Sequence, residues 1–427
     1  MIDKILSAAE KETDECEILL INSDAISAEL KKEAIAIGSR SEAQGLIIRV
    51  IKDKKIGVSC TDNPELWKNC LKAAIDSSTF ANTTEWKGLP GQEKLDQKLL
   101  SFDNRIKPEP EILNKLLERL IAGSRTFQAD ITSGSASIIS SGHIIANSNG
   151  MMYETKGTLV NIGIEMIAGQ STGYEFDTSW NLDMINPEIT GEKAAFLANK
   201  GQNGKDLKTG SYEVVLSPVA LSELIGAAIV PALSGRNVHT GRSFFSGKIG
   251  TEVSDPSVSL IDDPYDSRGL ANCAWDGEGM PVQENCFIDN GTLTTFAYDL
   301  RTAYRYDQKP TASAVRSGQS GAPSIGNHNL ILKGKNGEIL DDEVIFVHNL
   351  IGAHTANPMS GDFSVELSSP FIARDGEMDE PIKSGMISGN IFELLHQIEG
   401  ISEETRTLGS MIMPSVRFSG LSVIGRG

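Results

Sequence analysis

Cysteine is scarce and scattered in this chain of 427 residues. The five cysteines are Cys16, Cys60, Cys70, Cys273 and Cys286. No two of them form a C-x-x-C pair. This pattern argues against a disulfide framework and against a zinc site built from paired thiolates. We therefore expect free, buried thiols in a protein of the reducing cytoplasm.

Positive charge is also in short supply. Lys and Arg together number 39 against 57 Asp and Glu, so the formal net charge is −18. Nucleic acids and anionic membranes bind proteins through concentrated positive charge, and the chain offers no basic run interleaved with aromatic residues. The first residues do not resemble a signal peptide, and no apolar run approaches the roughly 18 residues of a membrane span. We expect a soluble cytoplasmic protein that binds neither nucleic acid nor membrane.

Recognisable catalytic motifs are missing. None of the six histidines has a second one four residues away, and neither H-E-x-x-H nor G-x-S-x-G occurs. His348 and His354 could meet near Asp362, but a third and a fourth metal ligand are not evident. Cys273 or Cys286 could act as a nucleophile with a distant histidine, although a buried structural thiol is the better interpretation. The residues alone predict no metal site and no catalytic residue.

The first half of the chain contains a repeated pattern. A helix, several apolar strand segments and a closing helix that starts at Pro64 recur as a second set whose closing helix starts at Pro187. Two related α+β units with antiparallel strands are thus predicted at 1–105 and 106–205. The Gly-, Lys- and Asn-rich segment 200–211 reads as a linker to the rest of the chain.

Beyond the linker, short strands alternate with Gly, Pro, Asn and Asp turns. Asn290-Gly291 is a hairpin turn signal within 285–300, and Asp375-Gly376 marks another turn. Residues 388–402 read as one helix. A β-rich, barrel-like domain is therefore predicted at 206–427, and the fold class is α+β.

One apolar segment has the length and flanks of an active-site helix. It reads "VVLSPVALSELIGAAIVPALSG" over residues 214–235, and its helical part contains no His or Cys and only one acidic residue, Glu223. The spaced glycines and the F-S-G-x-x-G stretch that follow it resemble the family of TldD and PmbA (also called TldE), a two-subunit cytoplasmic metallopeptidase. The resemblance extends to "GLIIRVIKDKKIGVSCTDN", "IANSNGMMYETKGT", "NPMSGDFSVELSSPFIARDGEM" and the closing "PSVRFSGLSVIG".

The resemblance implies that this chain is the PmbA/TldE-type subunit. In TldD the helix carries His-Glu-x-x-x-His, and those three positions fall here on Gly226, Ala227 and Pro231. These residues can neither bind zinc nor take a proton from a bound water. TldD also tends to have a third, cysteine ligand near its end, and here no cysteine follows Cys286. The chain is thus expected to have no cofactor of its own, with zinc on its partner.

The family also implies what the chain does. We expect a TldD-type zinc-bearing partner, a homodimer when the chain is alone, and a peptide substrate that is unfolded or extended. The candidate contribution to the peptide cleft is the turn that enters a strand near residue 360, with Asn357, Ser360, Gly361, Asp362, Phe363 and Ser364; a hairpin that only closes the sheet is the alternative. A regulatory binding protein of the gyrase-modulator type and an autonomous hydrolase with an unrecognised site also remain open.

Overall fold

The computed structural model of the protein describes residues 1–95, 101–316 and 321–425. Its N-terminal part repeats one order of elements. The first set is α1 (Ile2–Ala9), β1 (Glu15–Lys31), β2 (Ala34–Lys52), β3 (Lys55–Thr61) and α2 (Trp67–Phe80). The second set is α3 (Pro110–Ser124), β4 (Asp130–Asn147), β5 (Met152–Ala168), β6 (Ser171–Ser179) and α4 (Pro187–Lys200). The predicted duplication of α+β units with antiparallel strands is confirmed.

The two sets share one six-stranded sheet in the order β3-β2-β1-β4-β5-β6, and every neighbouring pair is antiparallel. In both sets, a glycine in the third strand lies against the backbone of the closing helix. A Cβ on Gly57 in β3 would lie 2.0 Å from the carbonyl oxygen of Ala74 in α2, and a Cβ on Gly173 in β6 would lie 2.2 Å from that of Ala194 in α4. Only glycine lets each closing helix approach its strand this closely.

Strands β1 and β2 form a long hairpin. Their pairing runs from Glu15 opposite Ile51 to Lys31 opposite Ala34, through a turn at Lys32. Residues 34–44 are exposed, so no buried face imposes alternation on them. The pairing with β1 is what extends this strand.

Residues 201–209 connect α4 to the C-terminal part, which is rich in short strands. Its first elements are β7 (Gly210–Leu216), α5 (Pro218–Leu224), a π-helical turn (Ile225–Ile229), α6 (Val230–Leu233), α7 (Gly235–His239), β8 (Ser259–Asp262), β9 (Asn285–Asp289), β10 (Thr292–Leu293), α8 (Leu300–Arg305), β11 (Ala314–Arg316), β12 (Pro323–Ile325) and β13 (Leu330–Lys333). The remainder is β14 (Val344–Ile351), β15 (Asp362–Arg374), β16 (Glu377–Pro381), β17 (Gly385–Asn390), α9 (Ile391–Leu394), β18 (Ile398–Leu408) and β19 (Met411–Gly425).

Five of these strands close into a barrel. The pairing runs from β7 to β14, β15, β17 and β19, and β19 pairs back with β7. Both predicted turns, Asn290-Gly291 between β9 and β10 and Asp375-Gly376 between β15 and β16, are confirmed. The helix α5 packs against β14, β18 and β19, and its apolar face forms the main core together with the barrel. The predicted barrel-like, β-rich part is confirmed.

One predicted helix is wrong. Residues 388–402 were expected to be a single helix, but only Ile391–Leu394 is helical and β18 begins at Ile398. The buried run of apolar side chains fits a helix or a strand equally well. Pairing with β19, in which Ile398 lies opposite Phe418 and Ile401 opposite Val416, selects the strand. Among the described residues, no helix is long and apolar enough to cross a membrane.

Candidate functional site

The apolar segment after β7 is a helix, and Ser217 starts it. The Oγ atom of Ser217 accepts hydrogen bonds from the backbone N–H groups of Val219 (3.1 Å) and Ala220 (3.2 Å), and it donates one to the carbonyl oxygen of His348. Pro218 occupies the first helical position, where a missing N–H costs nothing. One side chain thus caps the helix and ties it to β14.

Removing this cap should cost stability. We expect Ser217→Ala to lower the free energy of unfolding by about 1–2 kcal/mol, because two helix N–H groups lose their acceptor. The matched control is Ser222→Ala in the same helix, where the hydroxyl only donates to the Val219 carbonyl (2.8 Å) and should be worth less than about 0.5 kcal/mol. Denaturant titrations of both variants measure the difference, and equal losses would show that Ser217 is not the cap.

The backbone hydrogen-bond pattern of the helix changes near Gly226, Ala227 and Pro231, the positions at which the resemblance places the zinc-binding motif. The N–H of Val230 bonds to the carbonyl of Ile225, five residues earlier, so 225–229 form a π-helical turn. Gly226 and Pro231 are also five apart. In a regular α-helix they would point about 140° away from each other, whereas an i to i+5 turn brings them toward one side.

This side of the helix is the more exposed one. Gly226, Ala227 and Pro231 are half-buried, whereas Leu224, Ile225, Ala228 and Ile229 are buried in the core. None of the three side chains has a nitrogen, sulfur or oxygen atom that could bind a metal ion. Within 1–95, 101–316 and 321–425, no three His, Cys, Asp or Glu side chains come together as a metal site requires. The residues at these three positions of the helix do not fit zinc.

Glu223 is the one acidic residue in the sequence of the helix at 218–233. It lies one turn before Gly226, and burial raises the pKa of its carboxyl group. Its buried Oε2 has no hydrogen-bond partner among the described residues. Burial favours the neutral form of this carboxyl group.

The turn at 357–364 is held by its own side chains. The Oδ1 atom of Asn357 accepts from the N–H groups of Met359 (2.9 Å) and Ser360 (3.2 Å), and Ser360 Oγ donates to Asp362 Oδ2 (2.7 Å). Hydrogen bonds from Ser360 and Asn390 lower the pKa of Asp362, so its exposed carboxylate stays ionised.

The six residues predicted for a cleft divide between two faces. Asn357, Asp362 and Ser364 are exposed, and Ser360 is half-buried, whereas Gly361 and Phe363 are buried. A peptide could touch the first group but not the second. The buried pair instead packs inward, where a Cβ on Gly361 would lie 2.4 Å from Cδ2 of Phe392.

Residues 363–365, near the start of β15, have one edge with which no strand among the described residues pairs (the free edge), although the helical turn Ala353–Thr355 packs against β15. Asp362–Glu366 pairs with β17 on one side, whereas β14 begins to pair with β15 only at Glu366. The carbonyl of Asp362 accepts from the N–H of Asn357 (2.9 Å). In the described part of the chain, residues 363–365 have no strand on that second side.

The helix and the turn are neighbours. The short helical turn Ala353–Thr355 packs against the π-helical turn, and so does α9, which carries Phe392. Phe392 stacks on Phe244 with ring centroids 4.0 Å apart, and it also contacts the ring of Phe245, the first residue of the F-S-G-x-x-G stretch, with centroids 5.2 Å apart. The fold thus assembles three separate motifs of the sequence in one region.

A cavity also lies elsewhere, away from the three helix positions and the turn. A space of about 1090 Å³ separates α4 and β6 from the outer side of the barrel, and neither the helix positions nor the turn at 357–364 line it. Arg406 binds Glu175 Oε1 at 2.6 Å and lies over the ring of Phe176, and His348 Nε2 is 3.6 Å from Glu175 Oε2. Burial lowers the pKa of His348, while Glu175 acts in the opposite direction.

The remaining candidates are dispersed. His348 lies at this cavity, whereas His354 is exposed on the turn Ala353–Thr355. Cys273 and Cys286 are half-buried, so the expectation of buried thiols holds only for Cys16 and Cys70. The cavity residues Glu175 and Arg406 were missed, because they lie 231 positions apart and no local pattern joins them.

Comparison with known proteins matches most of the chain to the domains of one family. Models of the PmbA/TldA metallopeptidase family match domain 1 at residues 16–78, the central domain at 94–201 and the C-terminal domain at 209–425. An uncharacterized protein of Methanocaldococcus jannaschii is 31% identical over 98% of this chain and 99% of its own length.

Solved structures agree with this placement. TldE from Thermococcus kodakarensis is similar with a TM-score of 0.90 and 26% identity over 99% of this chain and 100% of its own. A Thermotoga maritima protein described as a candidate modulator of a DNA gyrase has the same fold, with a TM-score of 0.88 and 24% identity over 99% of both chains.

Proposed function

This chain belongs to the PmbA/TldA metallopeptidase family, and from that premise we propose that it is the non-catalytic PmbA/TldE-type subunit of a two-chain peptidase. In this role it completes the cleft that holds an unfolded or extended peptide. Its partner is a TldD-type subunit that supplies the zinc. We place the assembly in the cytoplasm, where free thiols such as these persist.

The observation that carries this proposal is the helix at 218–233. A π-helical turn is rare and is frequently found at functional sites. Here it lies where the family's zinc ligands are expected, yet Gly226, Ala227 and Pro231 occupy the three positions. A helix that has the geometry without the ligands supports descent from a zinc-binding chain and a present role without zinc.

The free edge at 363–365 supports peptide capture. An extended peptide can bond to the backbone of an exposed strand edge without presenting particular side chains. The exposed Asp362 and Ser364 lie beside this edge, and Phe363 anchors it in the core. We propose that the peptide adds as a strand beside these residues and runs past the half-buried face of Gly226 and Ala227.

A partner with the same fold suits a pseudo-twofold pairing. A patch that pairs with itself in a homodimer can pair with the same patch on a homologue. We therefore propose a heterodimer with the TldD-type subunit and a homodimer when this chain is alone, each formed through the β-rich part. A permanent pairing of this kind should bury well over roughly 1,000 Å².

Metal analysis tests the non-catalytic assignment. We expect the chain, purified alone and without chelator, to contain no stoichiometric zinc, because the three positions on the helix carry no ligand atoms. A TldD-type subunit prepared in parallel is the positive control. One tightly bound zinc ion per chain would contradict the assignment.

A further inference from the structure

Four arginines of this acidic chain have no carboxylate partner. The described residues include fourteen arginines, and ten of them form ion pairs with Asp or Glu. The four that form none within the described part of the chain are Arg236, Arg242, Arg301 and Arg305, and all four are exposed. Asp and Glu outnumber Lys and Arg by 57 to 39, so these arginines are not unpaired for want of carboxylates.

The four arginines come from two segments that contain no acidic residue. Residues 236–251 and 300–306 together hold five Arg and Lys and neither Asp nor Glu. Asp307, which follows the second segment, pairs with Lys87 at 2.6 Å. Asp299, which precedes that segment, is buried and caps α8. Both acidic residues beside the second segment are therefore already engaged.

The fold places the two segments side by side. The ring of His239 stacks on that of Tyr306 with centroids 4.1 Å apart, and His239 Nε2 lies 3.1 Å from the hydroxyl of Tyr298. Arg305 lies over the ring of Tyr306, 5.5 Å from its centroid. The helix α7 also packs against α8. The exposed arginines of both segments thus belong to one surface.

The loop after α7 continues this surface. Ser246 Oγ donates to the carbonyl of Val238 (3.1 Å), so the loop folds back on the helix. Lys248 Nζ lies 3.3 Å from the centroid of the exposed ring of Phe244. Positive charges and flat rings thus alternate along the surface. We call it the arginine strip, and its residues are Arg236, His239, Arg242, Phe244, Lys248, Arg301, Arg305 and Tyr306.

The arginine strip adjoins the turn at 357–364. Phe244 stacks on Phe392, and α9, which carries Phe392, packs against the π-helical turn. A Cβ on Gly361 would collide with the ring of the same Phe392. One aromatic side chain therefore separates the strip from the turn. An extended peptide covers about 3.3 Å per residue, so a peptide at the free edge reaches the strip within a few residues.

We propose that the arginine strip binds Asp and Glu side chains of the extended peptide that the free edge holds. This inference rests on the proposed function and adds a substrate class to it, namely acidic peptides. Guanidinium groups match the planar geometry of carboxylates and can bind them through two hydrogen bonds. The net charge of −18 repels acidic peptides elsewhere on the chain, so an unpaired positive strip beside the cleft reverses this repulsion where it matters.

Binding of two labelled peptides to this chain alone tests the strip without the partner. The peptides share one sequence and one uncharged dye, except that each Glu of the first is Gln in the second, and fluorescence anisotropy gives both dissociation constants. At low ionic strength we expect the Glu peptide to bind about tenfold more tightly. The preference should disappear at about 1 M salt, where screening limits charge interactions to about 3 Å. Equal affinity at low salt, or no binding of the Glu peptide, would overturn the proposal.

A pair of double variants assigns the preference to the strip. Arg242→Gln with Arg305→Gln should reduce the preference from about tenfold to about twofold, because two of the pairing charges are lost. The matched control is Arg40→Gln with Arg125→Gln, which removes the same net charge from exposed arginines that pair with carboxylates outside the strip. The control should keep the full preference. An equal loss in both double variants would show that net charge, and not the strip, sets the preference.

Cleavage by the complex with a TldD-type subunit separates this proposal from the proposed function. The strip variant should lower kcat/KM for the Glu peptide about fivefold and leave that for the Gln peptide unchanged. A complex that cleaves both peptides at equal rates would refute the strip and leave the proposed function intact. A complex that cleaves neither would refute the proposed function, and binding to this chain alone would still decide about the strip.

Two other occupants of the strip give different results. If the strip variant no longer assembles with the TldD-type subunit, the strip is a contact between subunits. If single-stranded oligothymidylate displaces the labelled Glu peptide at a lower concentration than the unlabelled Glu peptide does, the strip binds nucleic acid. Either result would contradict the proposal.

Discussion

Replacing Arg49 with alanine is expected to lower the free energy of unfolding by about 3–5 kcal/mol, because two buried carboxylates lose the charge between them. Arg49 lies on β2, is 2% exposed, and binds Glu17 Oε2 at 2.6 Å and Glu278 Oε1. Glu17 also pairs with Arg316. These four charged side chains connect the N-terminal sheet to the C-terminal part. The decrease in the free energy of unfolding should therefore include a weaker contact between these two parts.

Arg40→Ala is the control for Arg49→Ala. Arg40 is also on β2 and pairs with Asp24 at 2.9 Å, but it is exposed, and such pairs contribute less than about 1 kcal/mol. Denaturant titration and the thermal midpoint of both variants measure the difference. If Arg49→Ala costs no more than Arg40→Ala, the buried network does not hold the two parts together.

Replacing Gly361 with valine is expected to have the largest effect on activity. Its φ of +84° is a conformation that β-branched residues rarely adopt, at a cost of about 1–3 kcal/mol. The added Cβ would also lie 2.4 Å from the ring of Phe392, so the turn and α9 must move apart. Because the free edge at 363–365 follows directly, we expect peptide cleavage by the complex to fall about tenfold or more, equivalent to about 1.4 kcal/mol in the barrier.

Gly376→Val is the control that distinguishes the effect of backbone strain from the effect of a change in the turn at 357–364. Gly376 has the same φ of +84° in the turn between β15 and β16, and a Cβ there meets no atom within 4 Å. It should lose stability through backbone strain and keep cleavage close to normal. The zinc content of the TldD-type partner should be unchanged with both variants. Equal cleavage by the Gly361 and Gly376 variants would remove the turn at 357–364 from the proposed cleft.

The sequence predicts this fold where the signals are local. Pro187 is the first residue of α4, whereas Pro64 starts a 3₁₀ turn, Pro64–Leu66, that precedes α2 at Trp67. Asn290-Gly291 and Asp375-Gly376 mark turns, because each residue acts on its own backbone. Residues 388–402 were misread since a pairing partner 20 positions away decides between helix and strand for Ile398. The order of the strands around the barrel is a long-range property of the same kind.

The candidate site likewise has features that the local sequence predicts and features that depend on the folded chain. The positions of Gly226, Ala227 and Pro231 follow from counting along a motif, but the π-helical turn between them does not, because it is a property of backbone hydrogen bonds. The free edge at 363–365 was also hidden, since it depends on where β14 stops pairing.

Reconstitution of peptide cleavage is the most direct test of the supporting-subunit role. This chain, a TldD-type subunit and an equimolar mixture of the two are each assayed with casein-derived peptides after size-exclusion chromatography. We predict no cleavage by this chain alone, a stable complex in the mixture, and cleavage that requires the mixture. Full cleavage by the TldD-type subunit alone with no complex formed, or cleavage by this chain alone, would contradict the account.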